Sequence, residues 1–273
     1  IQEAYISHRR APQAPWITPS DQRGPILGEM TVLEDDMDGR RTTLKAAVAE
    51  TIALRILDGT YPADHTLPTE ADLLGELGVS RTCLREALQI LVGKGLISSR
   101  PKHGTRVRPS VDWNFLDSDM LTWRRKVVPQ HIILGELVRV RELVEPEAAA
   151  LAARHADAQT VSEMREALHA MGIADGARTP ETLDADVRFH RLILASSGNA
   201  LISGLGACIE NALRASIVIT SDPRVTDPIA IAQHAHVLEA IERRDAEGAR
   251  AAMAELIGLT RAMLVRAGAL RTG

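Results

Sequence analysis

Three residues in the second half of this 273-residue chain have the types and spacing of a metal site. Asp186 and His190 are four apart in Leu183-Asp-Ala-Asp-Val-Arg-Phe-His-Arg-Leu-Ile-Leu194, so on a helix they stack one turn apart. Their face also carries Leu183, Val187, Ile193 and Leu194 and therefore turns inward. His234 shares a second helix face with Val237, Leu238 and Ile241. A carboxylate and two imidazoles meeting between helices form a donor set for Zn²⁺ or a similar divalent ion. Buried without partners, the same groups would be costly. The competing reading of each histidine is a hydrogen-bonded core or surface residue. His236, two residues on, points away from His234 and is no co-ligand. Arg141, in Arg139-Val-Arg-Glu-Leu-Val-Glu145, is a cation on a core-facing helix. It either clamps a ligand carboxylate bidentately or pairs with Glu145 or Asp186.

A second constellation is basic. From Arg81 to Arg108 there are seven Lys or Arg against one acid, Glu86, while the whole chain stands at −4. A local basic face on a mildly acidic protein fits contact with nucleic-acid phosphates. The elements that would carry it are legible. Thr69 precedes Glu70 and Asp72 and can cap a short helix. Gly78 suits the left-handed residue that ends it. Ser80 can cap the next helix, where Leu84, Leu88, Leu91 and Val92 recur at helical spacing. Arg81, Thr82 and Arg85 lie near its start and off that apolar stripe, where a recognition helix meets the major groove. Ile97-Ser-Ser-Arg-Pro-Lys-His-Gly-Thr-Arg-Val-Arg108 follows as a positively charged β-hairpin. The sum is a winged helix-turn-helix.

Around these sites the chain reads as two domains. Residues 1–40 contain four prolines, mixed charge and no sustained period, the pattern of a disordered leader. Residues 41–110 carry ten basic and seven acidic side chains and form the winged helix-turn-helix, opened by a helix over 44–57 with Leu44, Val48, Ile52 and Ile56 on one stripe. Residues 111–273 are almost wholly helical in pattern, with helices expected near 116–125, 130–154, 158–171, 180–196, 199–219, 228–244 and 246–268. With aromatics at 3% and much Ala and Leu, an antiparallel all-α bundle is the economical solution. The fold class is thus mainly α. No apolar run approaches the ~20 residues that span a bilayer. Two cysteines, Cys83 and Cys208, in different domains suggest no disulfide framework and a cytoplasmic setting.

Tyr61 through Arg108, with Leu67-Pro-Thr-Glu70, Ser80-Arg-Thr-Cys-Leu-Arg-Glu-Ala-Leu88 and Gly95-Leu-Ile97, resembles the GntR-type winged-helix transcription regulators. Residues 112–268 resemble the helical ligand-sensing (FCD) domain of the FadR-like branch. The matching stretches are Glu142-Leu-Val-Glu-Pro-Glu-Ala148, Asp186 to His190, Ser197-Gly-Asn199 and His234 to Ile241. Trp113 to Trp123 and Val140 to Pro146 are similar to the galactonate-operon repressor group within that branch. The resemblance implies major-groove contacts for Arg81, Thr82 and Arg85, and a wing tip at Lys102, His103 and Gly104 that reaches the minor groove. It implies a divalent metal on Asp186, His190 and His234, and an effector carboxylate on Arg141. Three positions depart from the family. Met253-Ala-Glu-Leu256 lacks a histidine that many members carry, leaving three protein ligands. Ala71 stands where an arginine often contacts DNA, and Asp64 where a turn glycine is usual.

The expectation is a homodimeric, ligand-responsive regulator, a repressor of a sugar-acid catabolic operon, with double-stranded DNA and a small carboxylate as partners and no membrane. Two other readings stand beside it. One is a metal-dependent hydrolase of a small carboxylate with an accessory DNA-binding domain. The other is a regulator whose Asp186, His190 and His234 only hydrogen-bond the effector.

Overall fold

Helix α1 (Met37–Leu57) turns Val48, Ile52 and Ile56 into a core shared with α3 (Arg81–Gly93). In this computed structural model, residues 37–100, 104–172, 179–220 and 229–271 are described. The predicted leader falls outside them up to residue 36, and α1 begins at Met37 rather than Leu44. Leu44, placed on the buried stripe by its spacing, is exposed, as is Val92 at the end of the α3 stripe.

Between these helices lies α2 (Glu70–Leu77). Thr69 Oγ1 accepts from the Asp72 amide at 3.2 Å, and Asp72 accepts from the Thr69 amide at 3.1 Å, a reciprocal cap that fixes where α2 starts. Gly78 ends it at φ 65°, the left-handed residue the sequence predicts. Ser80 then caps α3 by accepting from the Cys83 amide at 3.2 Å. β1 (Ile97–Arg100) and β2 (Gly104–Val107) pair antiparallel, with Ile97 opposite Val107, and form the wing. Gly95 makes the entry to β1 at φ 77°, where a side chain would collide with the Asp112 carbonyl. Asp64 takes φ 64°, a conformation Asp tolerates better than most residues.

The chain divides into two units, one reaching Asn114 with Lys126–Val128, the other holding Phe115–Arg125 and Pro129 onward. The second is all-helical among its described residues: α4 (Ser118–Val127), α5 (Gln130–His155), α6 (Ala158–Gly172), α7 (Pro180–Ala195), α8 (Ala200–Gly204), α9 (Gly206–Thr220), α10 (Ile229–Glu242) and α11 (Ala246–Arg266). One expected helix over 199–219 is two, α8 and α9. Leu205 joins them between two glycines, where helix propensity is lowest.

Ala148, Ala149, Ala152 and Ala153 of α5 form a low face that lets neighbouring helices approach. Phe189 and Ile193 of α7, Val237 and Ile241 of α10, and Met253 and Leu256 of α11 fill the remaining core. Arg244, in the turn after α10 at φ 59°, donates to the Ala153 and Ala156 carbonyls at 3.3 and 2.7 Å. It thereby satisfies the end of α5, and a cation there complements the helix dipole.

Candidate functional site

The first candidate surface is the recognition helix and wing. Arg81, Thr82 and Arg85 are all exposed at the start of α3, because Leu84, Ala87, Leu88 and Leu91 take up its buried face. Arg85 Nε and Nη2 each lie 3.3 Å from Glu70 Oε2, so α2 lends an acid to the recognition helix. Glu86, the one acid in the basic stretch, pairs with Lys45 at 3.4 Å on α1. Ala71 is exposed beside them with no polar group to offer. Gly104 takes φ 74° where β2 begins, while Lys102 and His103 lie outside the described residues.

The second candidate site is inside the bundle. Asp186 and His190 are brought inward by α7, and His234 by α10. His190 Nε2 and His234 Nε2 each lie 3.3 Å from Asp186 Oδ1. One oxygen thus faces two ring nitrogens, and the three donors all lie within 4.8 Å of one another. The Phe189 ring meets both imidazoles edge-on, at centroid distances of 5.9 and 5.4 Å, and fixes their planes. His236 is exposed, consistent with its exclusion.

The donor set fits a divalent ion. Two nitrogens and one carboxylate oxygen suit zinc, and a tetrahedral ion bound at about 2.1 Å holds its ligand atoms roughly 3.4 Å apart. The two 3.3 Å separations from Asp186 match that spacing. Leu256 and Met253 are buried among apolar side chains, so α11 adds no ligand at either position.

Behind His190 stands Glu145, which the sequence offered only as one alternative partner for Arg141. Its Oε2 lies 2.5 Å from His190 Nδ1, and its Oε1 accepts from Arg141 Nε at 2.6 Å. Arg141 is 2% exposed, and its ion pair uses Nε rather than the terminal nitrogens. The signal that could have found Glu145 was its place one turn below Arg141 on the same inward face.

The electrostatics follow from this chain of contacts. Burial alone would push the Glu145 carboxyl up, but Arg141 and His190 overcome it and hold it down at about 2. Burial would push His190 down, yet Glu145 and Asp186 prevail and raise it to about 9. Against the same burial, hydrogen bonds from His190 and His234 keep Asp186 well below the usual carboxylate range. Without an ion, the site therefore holds an imidazolium between two carboxylates.

Comparison with known proteins places both regions. The family described as bacterial regulatory proteins, gntR family, matches residues 44–107, and the FCD domain matches residues 136–259. An uncharacterized HTH-type transcriptional regulator of Escherichia coli, YieP, is 31% identical over 76% of this chain and 89% of its own length. The galactonate operon transcriptional repressor of Escherichia coli is 30% identical over 76% of this chain and 90% of its own length. Among solved structures, a Listeria monocytogenes protein, Lar, described as controlling the expression of the agr system, covers 82% of this chain and 97% of its own with a TM-score of 0.55. At 17% identity that likeness concerns the fold alone. These relatives are transcription regulators, not enzymes, and the hydrolase reading is withdrawn.

Proposed function

This chain belongs to the gntR family of bacterial regulatory proteins and carries an FCD domain, and from that premise we propose that it is an effector-responsive repressor of a sugar-acid catabolic operon. One observation carries the reading. A single chain joins an exposed basic recognition helix to a buried Asp/His/His group linked through Glu145 to a buried arginine.

Two winged domains of a homodimer read the half-sites of a short palindrome, with Arg81, Thr82 and Arg85 in the major groove and Lys102, His103 and Gly104 at the wing tip. Similarity to the galactonate operon repressor supports an aldonate as the effector class. Arg141, with Nε engaged by Glu145, offers its terminal nitrogens to the effector's carboxylate. Asp186, His190 and His234 would hold a divalent ion, zinc first, which when bound supplies a Lewis acid for carboxylate and hydroxyl oxygens. Three protein ligands leave room in the coordination shell for the effector. Effector binding favours a dimer arrangement mismatched to the operator, and DNA is released by that difference in affinity. The place of action is the cytoplasm, where the DNA is.

A mobility-shift assay on duplex DNA from upstream of its own gene, titrated with galactonate and other aldonates, tests the reading. A shift reversed by an aldonate is expected. No shift at any moderate salt concentration sinks DNA binding, and a shift indifferent to every sugar acid sinks the effector class.

A further inference from the structure

We propose that Glu145 is the positioning residue of the metal site: it holds His190 with its proton on Nδ1, so that Nε2 is the atom presented to an ion beside Asp186 and His234. The inference rests on the metal reading given above and adds to it a residue outside the ligand set.

Three observations carry it. His190 Nδ1 and Glu145 Oε2 are 2.5 Å apart, and neither atom has another hydrogen-bond partner among the described residues. His190 is 1% exposed, so bulk water does not compete for Nδ1. The opposite ring atom, Nε2, is the one 3.3 Å from Asp186 Oδ1, the oxygen that also faces His234. A neutral imidazole has one donor nitrogen and one acceptor nitrogen, and a carboxylate can only accept. A carboxylate at Nδ1 therefore selects the tautomer whose lone pair lies on Nε2.

Glu145 is itself held. Arg141, one turn earlier on α5, donates Nε to Oε1 at 2.6 Å, which fixes the carboxylate plane and leaves Oε2 toward the ring. Phe189, edge-on to His190, blocks the ring from turning away. Orientation is thus passed from α5 to α7 by Arg141, Glu145 and His190 in sequence. A carboxylate that orients a metal-bound histidine in this way typically accounts for about 10–100-fold in metal affinity.

The test uses the full chain loaded with Zn²⁺. A two-bond ¹H–¹⁵N spectrum of histidine-labelled wild type should show His190 protonated at Nδ1 and zinc-bound through Nε2. Binding through Nδ1 would overturn the proposal. Chelator competition should show Glu145→Gln binding zinc about 10–100-fold more weakly than wild type. The double variant Arg141→Met with Glu145→Gln, which leaves no lone buried cation, should show the same loss. Either variant matching wild type overturns the role of Glu145. Wild type that binds no zinc instead sinks the metal reading and the inference with it. Should both variants fail to fold, the wild-type spectrum decides.

Discussion

His234 Nε2 lies 3.3 Å from Asp186 Oδ1, although 48 residues of chain separate them. Helices α7 and α10 cross where these two side chains meet, and His190 reaches the same oxygen from one turn further along α7. Two imidazoles on one buried carboxylate oxygen would be a poor use of a core for packing alone. The arrangement becomes economical if an ion takes the place of the shared protons.

Removal of the shared carboxylate should therefore remove the metal. Asp186→Asn and His234→Ala are both expected to lose the zinc that wild type retains through dialysis, as read by elemental analysis. Wild-type metal content in both variants would show that these side chains serve only hydrogen bonding.

Stability against pH should differ between metal-free and zinc-loaded protein. His190 is raised from 6.5 to about 9, so its contribution is complete below 6.5 and lost as pH rises through 9. Glu145 is lowered from 4.5 to about 2, so its contribution is complete above 4.5 and lost as pH falls toward 2. Metal-free protein should accordingly be most stable between those limits and weaken toward pH 9. Zinc on Nε2 displaces the proton whose loss drives the alkaline decline, so loaded protein should stay flat there. Thermal melts at pH 6 and pH 9, with and without chelator, compare the two, and parallel curves would contradict the assignment.

On the DNA-binding face, Arg81→Ala should weaken operator binding by about 1–3 kcal/mol if it reads a base, or lower the salt slope by about 1 if it grips a phosphate. Arg85 must share itself with Glu70 at 3.3 Å. Glu70→Gln frees it, and since exposed pairs are worth about 0.2–1 kcal/mol, non-specific DNA binding should rise by a small factor. Weaker non-specific binding in that variant would mean that Glu70 is needed to hold Arg85 in place.

Phe189 has no exposed surface and touches both imidazoles. Phe189→Ala should cost about 3–5 kcal/mol in denaturant unfolding. Phe189→Leu should recover much of that stability but not zinc affinity, because only an aromatic edge fixes both rings. Equal zinc affinity in Phe189→Leu and wild type would assign the ring to packing alone.

Much of the fold was legible because its signals are local. The Thr69 and Ser80 caps, the Gly78 stop and the inward stripes of α3, α7 and α10 involve residues no more than four apart. Where a local signal was equivocal, the reading slipped. Leu44 and Val92 continue their stripes in sequence yet lie exposed, because a helical period says nothing about where the partner helix ends. Gly204 and Gly206 divide α8 from α9, though the apolar pattern runs through both.

By itself the sequence determined the element order, the winged helix-turn-helix and the inward placing of Asp186, His190 and His234, since each follows from chain spacing. Only the tertiary structure decided which groups meet. Arg141 had Glu145 and Asp186 as equal candidates, and it pairs with Glu145. Glu145 then reaches His190 on another helix, a contact no periodicity encodes. Such pairings are set by how whole helices pack, through burial summed over faces such as the alanine ridge of α5 and the Phe189 core.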